Sequence, residues 1–351
     1  MHILVTGGAG YIGSHTCKML ASAGLQPVAL DDFRRSPRET VPWGPVLEGD
    51  CGDRADLEHV FRSYPIQAVI HFAAYAYVGE SMQAPDMYFR NNVVNTLNLL
   101  DAMRVHGVRA IVFSSSCATY GLPVAVPVSE DHAQVPTNPY GESKLMVEKL
   151  LRWYGQAYGL GWSALRYFNA AGADPECELG ENHDPEPHLL PRVLAAAAGL
   201  LPHVEIYGTD YDTPDGTAIR DYVHVTDLAQ AHILATRYLL AGGKSSAFNL
   251  GTGIGHSVRE VTKAAEAVTG ATIPVVERPR RPGDPPRLVA DASKARNVLG
   301  WLPQYSRLPT ILETAWRWQK RQINLSPLPT IEASDRSLLP RRPSISLAQV
   351  L

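Results

Sequence analysis

Short apolar runs alternate with longer stretches of helical spacing through the first half of the chain. Apolar or β-branched runs stand at 2–6, 27–31, 68–72 and 109–114, with segments of helical period at 53–62 and 86–104 between them. Strands that alternate with helices predict βαβ units and a parallel sheet covered on both faces. A long helix is predicted after Asn138-Pro139, then a buried strand over Trp162 to Phe168. Beyond about residue 170 Gly and Pro become frequent and the alternation breaks up. Helices are expected near 189–200, 226–241, 257–268 and 308–321, and a strand near 247–250. The fold class is therefore α/β: a doubly wound parallel sheet with a smaller mixed α/β C-terminal domain. The predicted division is 1–170 for the first domain, with the chain crossing back to it later, 171–321 for the second domain, and 322–351 for a flexible tail. That tail is rich in Pro and Ser and lacks periodicity.

Composition narrows the classes. The 351 residues suffice for roughly two domains. A hydrophobic share of 45% and a charged share of 19% suit a globular chain. Acids exceed bases, 35 to 32, for a net charge of −3, which argues against a nucleic-acid binder. No apolar run approaches the roughly 18–20 residues that span a bilayer, so no membrane association is expected. The chain enters a strand pattern at once (Met1-His2-Ile3-Leu4-Val5), so no leader is expected. Cys17, Cys51, Cys117 and Cys177 lie far apart without CxxC spacing. Neither a zinc site nor a disulfide framework is expected, and a cytoplasmic location is.

The first chemistry follows the first strand. Gly7, Gly10 and Gly13 stand at GxxGxxG spacing and open a helical pattern. Glycines there permit a tight turn and close approach of backbone to a pyrophosphate, which the helix N-terminus attracts. The second strand ends at Asp31-Asp32, about 20 residues on, where an acid bonds the adenosine ribose and repels a 2′-phosphate. That favours NAD over NADP, although Arg34 and Arg35 follow closely.

A second constellation lies downstream. Ser114-Ser115-Ser116 closes the strand at 109–114, and Tyr140 and Lys144 stand four apart on the next helix. Residues four apart share a helix face, so a phenol and an ammonium meet. A tyrosine has an ordinary pKa near 10. A lysine cation and an oxidised nicotinamide ring would both favour the phenolate, and a shift of about three units needs about 4 kcal/mol. A serine hydroxyl can hold the substrate oxygen.

In order, these motifs resemble the extended short-chain dehydrogenase/reductase family and, within it, the UDP-glucose (UDP-galactose) 4-epimerases. The likeness runs from Met1 to about Lys320 through VTGGAGYIGSH, VIHFAA with VGES, NNV, FSSSCATYG, NPYGESK, RYFNAAG, GTAIRDYVHVTDLA, FNLGTG and RRPGD. The resemblance implies NAD-dependent inversion at sugar C4 through a 4-keto intermediate, with Tyr140 as base and Ser116 and Lys144 assisting. It implies a cofactor site of Gly7, Gly10, Tyr11, Ile12, Gly13, Asp31, Asp50, Cys51, Phe72, Ala73, Ala74, Asn92, Ser114, Tyr140, Lys144 and Phe168. Asn169, His188, Leu189, Arg220, Arg281, Asp284 and Leu288 would hold the UDP-sugar with Ser116 and Tyr140. It also implies a Rossmann-type NAD-binding domain over 1–170, a substrate-binding C-terminal domain over 171–321, and a homodimer through helices near 86–104 and 140–158.

Three positions depart from the family pattern. Ala76 stands where many members carry a lysine, and His188 where asparagine is frequent. Leu288 is intermediate between the tyrosine that restricts members to plain hexoses and the small residues that admit N-acetylhexosamines. UDP-xylose/UDP-arabinose and UDP-N-acetylglucosamine 4-epimerases therefore remain alternatives. A dehydratase would need acids where Cys117 and Ala118 stand. A non-catalytic NAD-binding protein would have lost the Tyr or Lys.

Overall fold

The structure is a computed structural model that describes residues 1–37, 41–281 and 283–325. Its strands are β1 (His2–Thr6), β2 (Gln26–Asp31), β3 (Val46–Glu48), β4 (Ile66–His71), β5 (Ala110–Ser116), β6 (Gly161–Tyr167), β7 (Asn169–Ala171), β8 (Val204–Tyr207), β9 (Ile219–His224), β10 (Ser246–Leu250), β11 (Gly255–Ser257), β12 (Val275–Arg278) and β13 (Arg287–Leu288). The α-helices are α1 (Tyr11–Ser22), α2 (Arg54–Ser63), α3 (Val78–Gln83), α4 (Pro85–Tyr88), α5 (Asn95–Val105), α6 (Pro139–Tyr158), α7 (Leu189–Ala197), α8 (Val225–Leu240), α9 (Val258–Thr269) and α10 (Leu308–Leu325).

Seven strands form one sheet in the order β10-β6-β5-β4-β1-β2-β3, and every neighbouring pair is parallel. Side chains alternate across a strand, so β1 feeds two cores. Ile3 and Val5 join Cys17 and Leu20 of α1 and Leu228 and Ala235 of α8 on one face. Leu4 joins Leu57 of α2, Leu99 and Met103 of α5 and Val147 and Leu151 of α6 on the other. The strand order reverses between β1 and β4, and ligands of such sheets bind at the carboxyl ends beside that switch point. The loops after both strands meet there: a Cβ placed on Gly7 would stand 2.6 Å from the Ala73 amide nitrogen.

The chain leaves this body after β6 and returns to it at α8 and β10, which pairs along β6 from Ser246 to Leu250. Between and beyond lie two small sheets, one built around β9 with β7, β11 and β13, the other of β8 and β12. A third core of Leu190, Val193, Val261, Ala265, Ile311 and Leu312 joins α7, α9 and α10.

Some expected bounds move. The three serines all belong to β5, which runs through Ser116. The helix expected over 86–104 is a helical run with a π-turn at Phe89–Val94, where Asn92 is buried. Residues 322–325, assigned to the tail, are the last turn of α10; the rest of that expected tail, 326–351, lies outside the described residues. Among the described residues no helix is long and apolar enough to cross a membrane. All four cysteines are free.

Candidate active site

A cleft of about 1890 Å³ runs along the carboxyl ends of the sheet to the small sheets. Every predicted site residue except Asn92 lines it.

At one end lies the glycine turn. Gly7 has φ +68°, and a Cβ on Gly13 would stand 2.1 Å from the Gly7 carbonyl oxygen. These two positions admit only glycine, whereas at Gly10 the nearest atom would be 3.3 Å away. A Cβ on Gly10 would thus fill the cradle, close against the Gly7 carbonyl at 3.3 Å and the Ser36 hydroxyl at 3.7 Å. Gly10 caps α1 without a side-chain hydrogen bond, and the first turn carries no acid. The terminal amides of α1 are left to an anion. Asp31 accepts from the Ala9 amide at 2.9 Å and the Phe33 amide at 3.0 Å. Burial nevertheless holds its carboxyl above the usual aspartate range. Arg34 pairs with Asp50 at 3.2 Å and Arg35 with Glu80 at 2.8 Å, so acids engage both arginines. The residues therefore fit a dinucleotide without a 2′-phosphate. Asn92 stands behind this wall: its amide donates to the Tyr75 carbonyl and the Ser143 hydroxyl, both at 3.0 Å, and braces the loop after β4 against α6.

The catalytic candidates meet in the middle. Asn138 caps α6 by accepting from the Gly141 amide at 2.8 Å, and Pro139 takes the first helical position. Both are strong start signals. They fix where Tyr140 and Lys144 fall. The Lys144 ammonium donates to the Ser114 carbonyl at 2.8 Å and lies 5.8 Å from the centre of the Tyr140 ring. Burial brings the Lys144 pKa down to about 7. Burial also pushes the Tyr140 phenol up to about 12, against a lowering contribution from its hydrogen bond with Ser116. The expected lowering rested on two cations, Lys144 and an oxidised nicotinamide; with Lys144 alone beside it the phenol stays high. Desolvation disfavours both charged forms and outweighs the pairing. Phenolate at neutral pH then needs about 7 kcal/mol from bound ligands rather than about 4.

Behind the serines runs a buried polar network. Ser115 donates to Glu148 at 2.6 Å, and Arg166 grips both Glu148 oxygens at 2.9 and 2.6 Å. Arg166 also reaches the Tyr120 hydroxyl, which donates to Asn249 at 2.6 Å. β5, α6, β6 and β10 are thereby locked together behind the reacting groups.

The far end of the cleft carries the substrate candidates. Asn169 donates to the Asp221 carbonyl at 3.0 Å. Arg220 bonds Asp284 at 2.5 Å and the Pro285 carbonyl at 2.9 Å, and the Arg281 guanidinium stacks 3.9 Å over the Tyr207 ring. His188 and Leu189 stand at the start of α7, whose first turn also lacks an acid. Several residues went unmarked in the sequence. Tyr77 and Arg35 stack at 5.1 Å over the mouth of the cleft, and Tyr207 supports Arg281. Glu181, His183 and Glu186 surround His188. Their spacing, an acid or histidine at 181, 183, 186 and 188, is visible in the sequence.

Comparison with known proteins decides the family. Residues 3–251 match the model of the NAD dependent epimerase/dehydratase family. The chain belongs to this family. It is 52% identical over 321 residues to a UDP-glucose 4-epimerase of Lacticaseibacillus casei, covering 91% of this chain and 97% of that one. A crystal structure of a UDP-glucose 4-epimerase from Brucella ovis in complex with NAD superposes with TM-score 0.88 at 53% identity, covering 90% and 97% of the two chains. A Stenotrophomonas maltophila UDP-glucose 4-epimerase with bound NAD and formylated UDP-arabinopyranose gives TM-score 0.90 at 40% identity, covering 93% and 100%. In this epimerase family setting, the glycine cradle and the Ser-Tyr-Lys group share one cleft, the cofactor end against the reacting centre.

Proposed function

We propose that the protein interconverts UDP-glucose and UDP-galactose by inverting C4 with NAD retained. The observation that carries this is that Ser116, Tyr140 and Lys144 line the same cleft as the glycine cradle and as Arg220 and Arg281. A sugar there lies within reach of both a base and a nucleotide site.

Tyr140 takes the proton from the sugar 4-hydroxyl, and Ser116 holds that oxygen. Bound oxidised NAD supplies the hydride acceptor for C4 and a positive ring that favours loss of the phenolic proton. Lys144 holds α6 to the end of β5 and adds charge beside the phenol when protonated. The 4-keto sugar turns over while Asn169, Leu189, Arg220 and Arg281 retain the nucleotide. Binding energy from this unreactive part anchors the intermediate. Tyr140 then returns the proton as the opposite face of C4 is reduced.

Residues 1–170 with 225–250 form the nucleotide unit in this reading, and the small sheets with α7, α9 and α10 form the sugar-nucleotide unit. The partner is a second copy of the chain. Exposed apolar side chains on α5 and α6, Val105, Met146 and Trp153 among them, support a homodimer through these helices. Trp153→Asp would then yield a monomer in light scattering. Free, mostly buried thiols support a cytoplasmic setting.

The test is incubation with NAD and, separately, UDP-galactose, UDP-N-acetylgalactosamine and UDP-xylose. Conversion of UDP-galactose to UDP-glucose is expected. Absence of a C4 epimer from all three overturns the reading. Faster conversion of UDP-xylose or of the N-acetylated sugar would move the substrate to those classes, which Leu288 leaves room for.

A further inference from the structure

The loop that leads into α7 gathers four side chains of which the proposed epimerisation uses at most His188. Glu181, His183, Glu186 and His188 each offer a ligand atom, and these four atoms lie within 4.8 Å of one another. His188 Nδ1 is 2.8 Å from Glu181 Oε1 and 2.8 Å from Glu186 Oε1. His183 Nδ1 is 3.1 Å from Glu181 Oε1 and 3.5 Å from Glu186 Oε2.

Hydrogen bonding explains only part of this. An imidazole nitrogen carries at most one proton, which points at one acceptor. His183 Nδ1 is shut off from water and faces Glu181 Oε1 at 3.1 Å without the alignment of a hydrogen bond, an arrangement that an ion between the two would account for. Zinc binds imidazole nitrogen at about 2.0–2.1 Å and carboxylate oxygen at about 2.0–2.2 Å, so tetrahedral ligand atoms stand about 3.3 Å apart. Through the shared Glu181 Oε1 the separations are 2.8 Å to His188 and 3.1 Å to His183, near that edge length, while Glu186 meets the two imidazoles with different oxygens.

The donor set selects the class of ion. Two imidazoles and two carboxylates suit zinc and its neighbours, whereas calcium and magnesium favour shells of oxygen alone. Rings wall the cage: Tyr77 lies 5.8 Å from His183 and 6.1 Å from His188, and Tyr11 lies 6.3 Å from His183. The Glu181 side chain is 9% exposed and that of His188 45%, so the cage is closed on the protein side and has an entry path on the other.

We infer that Glu181, His183, Glu186 and His188 form a binding site for a divalent ion of the zinc class. The ion would fasten the 181–188 loop to the start of α7, one wall of the cleft. The inference does not depend on which sugar the cleft takes.

The full-length protein, stripped with a chelator, is titrated with zinc chloride in a calorimeter. One equivalent per chain is expected, and cobalt(II) should give the visible spectrum of a tetrahedral site. His183→Gln and Glu181→Gln should each weaken binding about tenfold or more, with far-UV circular dichroism unchanged. His59→Gln, on the exposed side of α2, should bind as the parent does. No saturable binding overturns the proposal, as does equal affinity in the parent and both loop variants. Loss of binding in His59→Gln alone would place the ion elsewhere and also overturns it.

Discussion

Leu288 and Arg220 are register partners on the parallel strands β13 and β9, and both line the cleft. Arg220 is fixed by Asp284, four residues before Leu288. The strand pairing that holds the arginine therefore also sets where residue 288 meets the sugar. Leu288 packs against the buried cluster of Cys117, Tyr120, Val128, Phe168 and Ala290. Replacing it by Tyr adds bulk on the open side. Leu288→Tyr should lower kcat/KM for a UDP-N-acetylhexosamine about tenfold relative to UDP-galactose, the cost of about 1.4 kcal/mol of lost fit. An unchanged ratio of the two would remove Leu288 from the choice of substrate.

Tyr140→Phe deletes one hydroxyl and keeps the ring. Loss of a positioned acid–base group typically costs about 10²–10⁴ in rate. Turnover should fall by that range while UDP binding, measured by calorimetry, changes little. Normal turnover in this variant would exclude Tyr140 as the base.

Two glycines three apart should respond differently to alanine. At Gly13 the added carbon meets the Gly7 carbonyl, a backbone atom that cannot step aside. Gly13→Ala should cost about 3 kcal/mol of stability, read as a lower denaturant midpoint. Gly10→Ala meets no atom closer than 3.3 Å, so the fold should hold. NAD affinity should drop instead, because the new methyl occupies the cradle. Equal midpoints for the two variants would contradict this division.

Acid should unfold the protein steeply. Burial lowers the pKa of His71 and His224 to about 3 and of His15 and His232 to about 4. Below about pH 6.5 the unfolded chain takes up protons at these four sites and the folded chain does not. Stability is therefore present above pH 6.5 and lost as pH falls toward 4. Each site contributes a slope of up to about 1.4 kcal/mol per pH unit. His232→Gln should flatten the fall of the denaturation midpoint between pH 6.5 and 4. An unaltered slope would show that His232 is charged in the folded state.

Much of the cofactor end was legible because its geometry is local. The Gly7–Gly13 turn, the acid ending β2, and Tyr140 one turn before Lys144 all follow from spacing along one or two elements. The substrate end was harder. Ile219 to His224 has no clean alternation: Arg220 faces the cleft, while Asp221 is buried to receive the Thr252, Gly253 and Ala290 amides. That carboxylate makes sense only once three distant loops have arrived, so β9 carried no strand signal. The protonation of Tyr140 was hidden for a related reason. Spacing shows that a lysine is near, but not that burial disfavours the charged form of both groups. Asn92 read as a cofactor contact in sequence; its amide instead spans from Tyr75 to Ser143.

The return of the chain to β6 has a consequence for its synthesis. When residue 170 leaves the ribosome, six strands of the large sheet exist and β6 is a bare edge. Its partner, Ser246–Leu250, is still unmade. Such an edge can pair with foreign strands until it is covered. The nascent protein must therefore lay out β7, α7, β8, β9 and α8 while this edge waits. A chain that stops between residues 170 and 246 lacks this cover and presents β6 as an open edge, so cutting the protein at residue 170 should yield an aggregation-prone product.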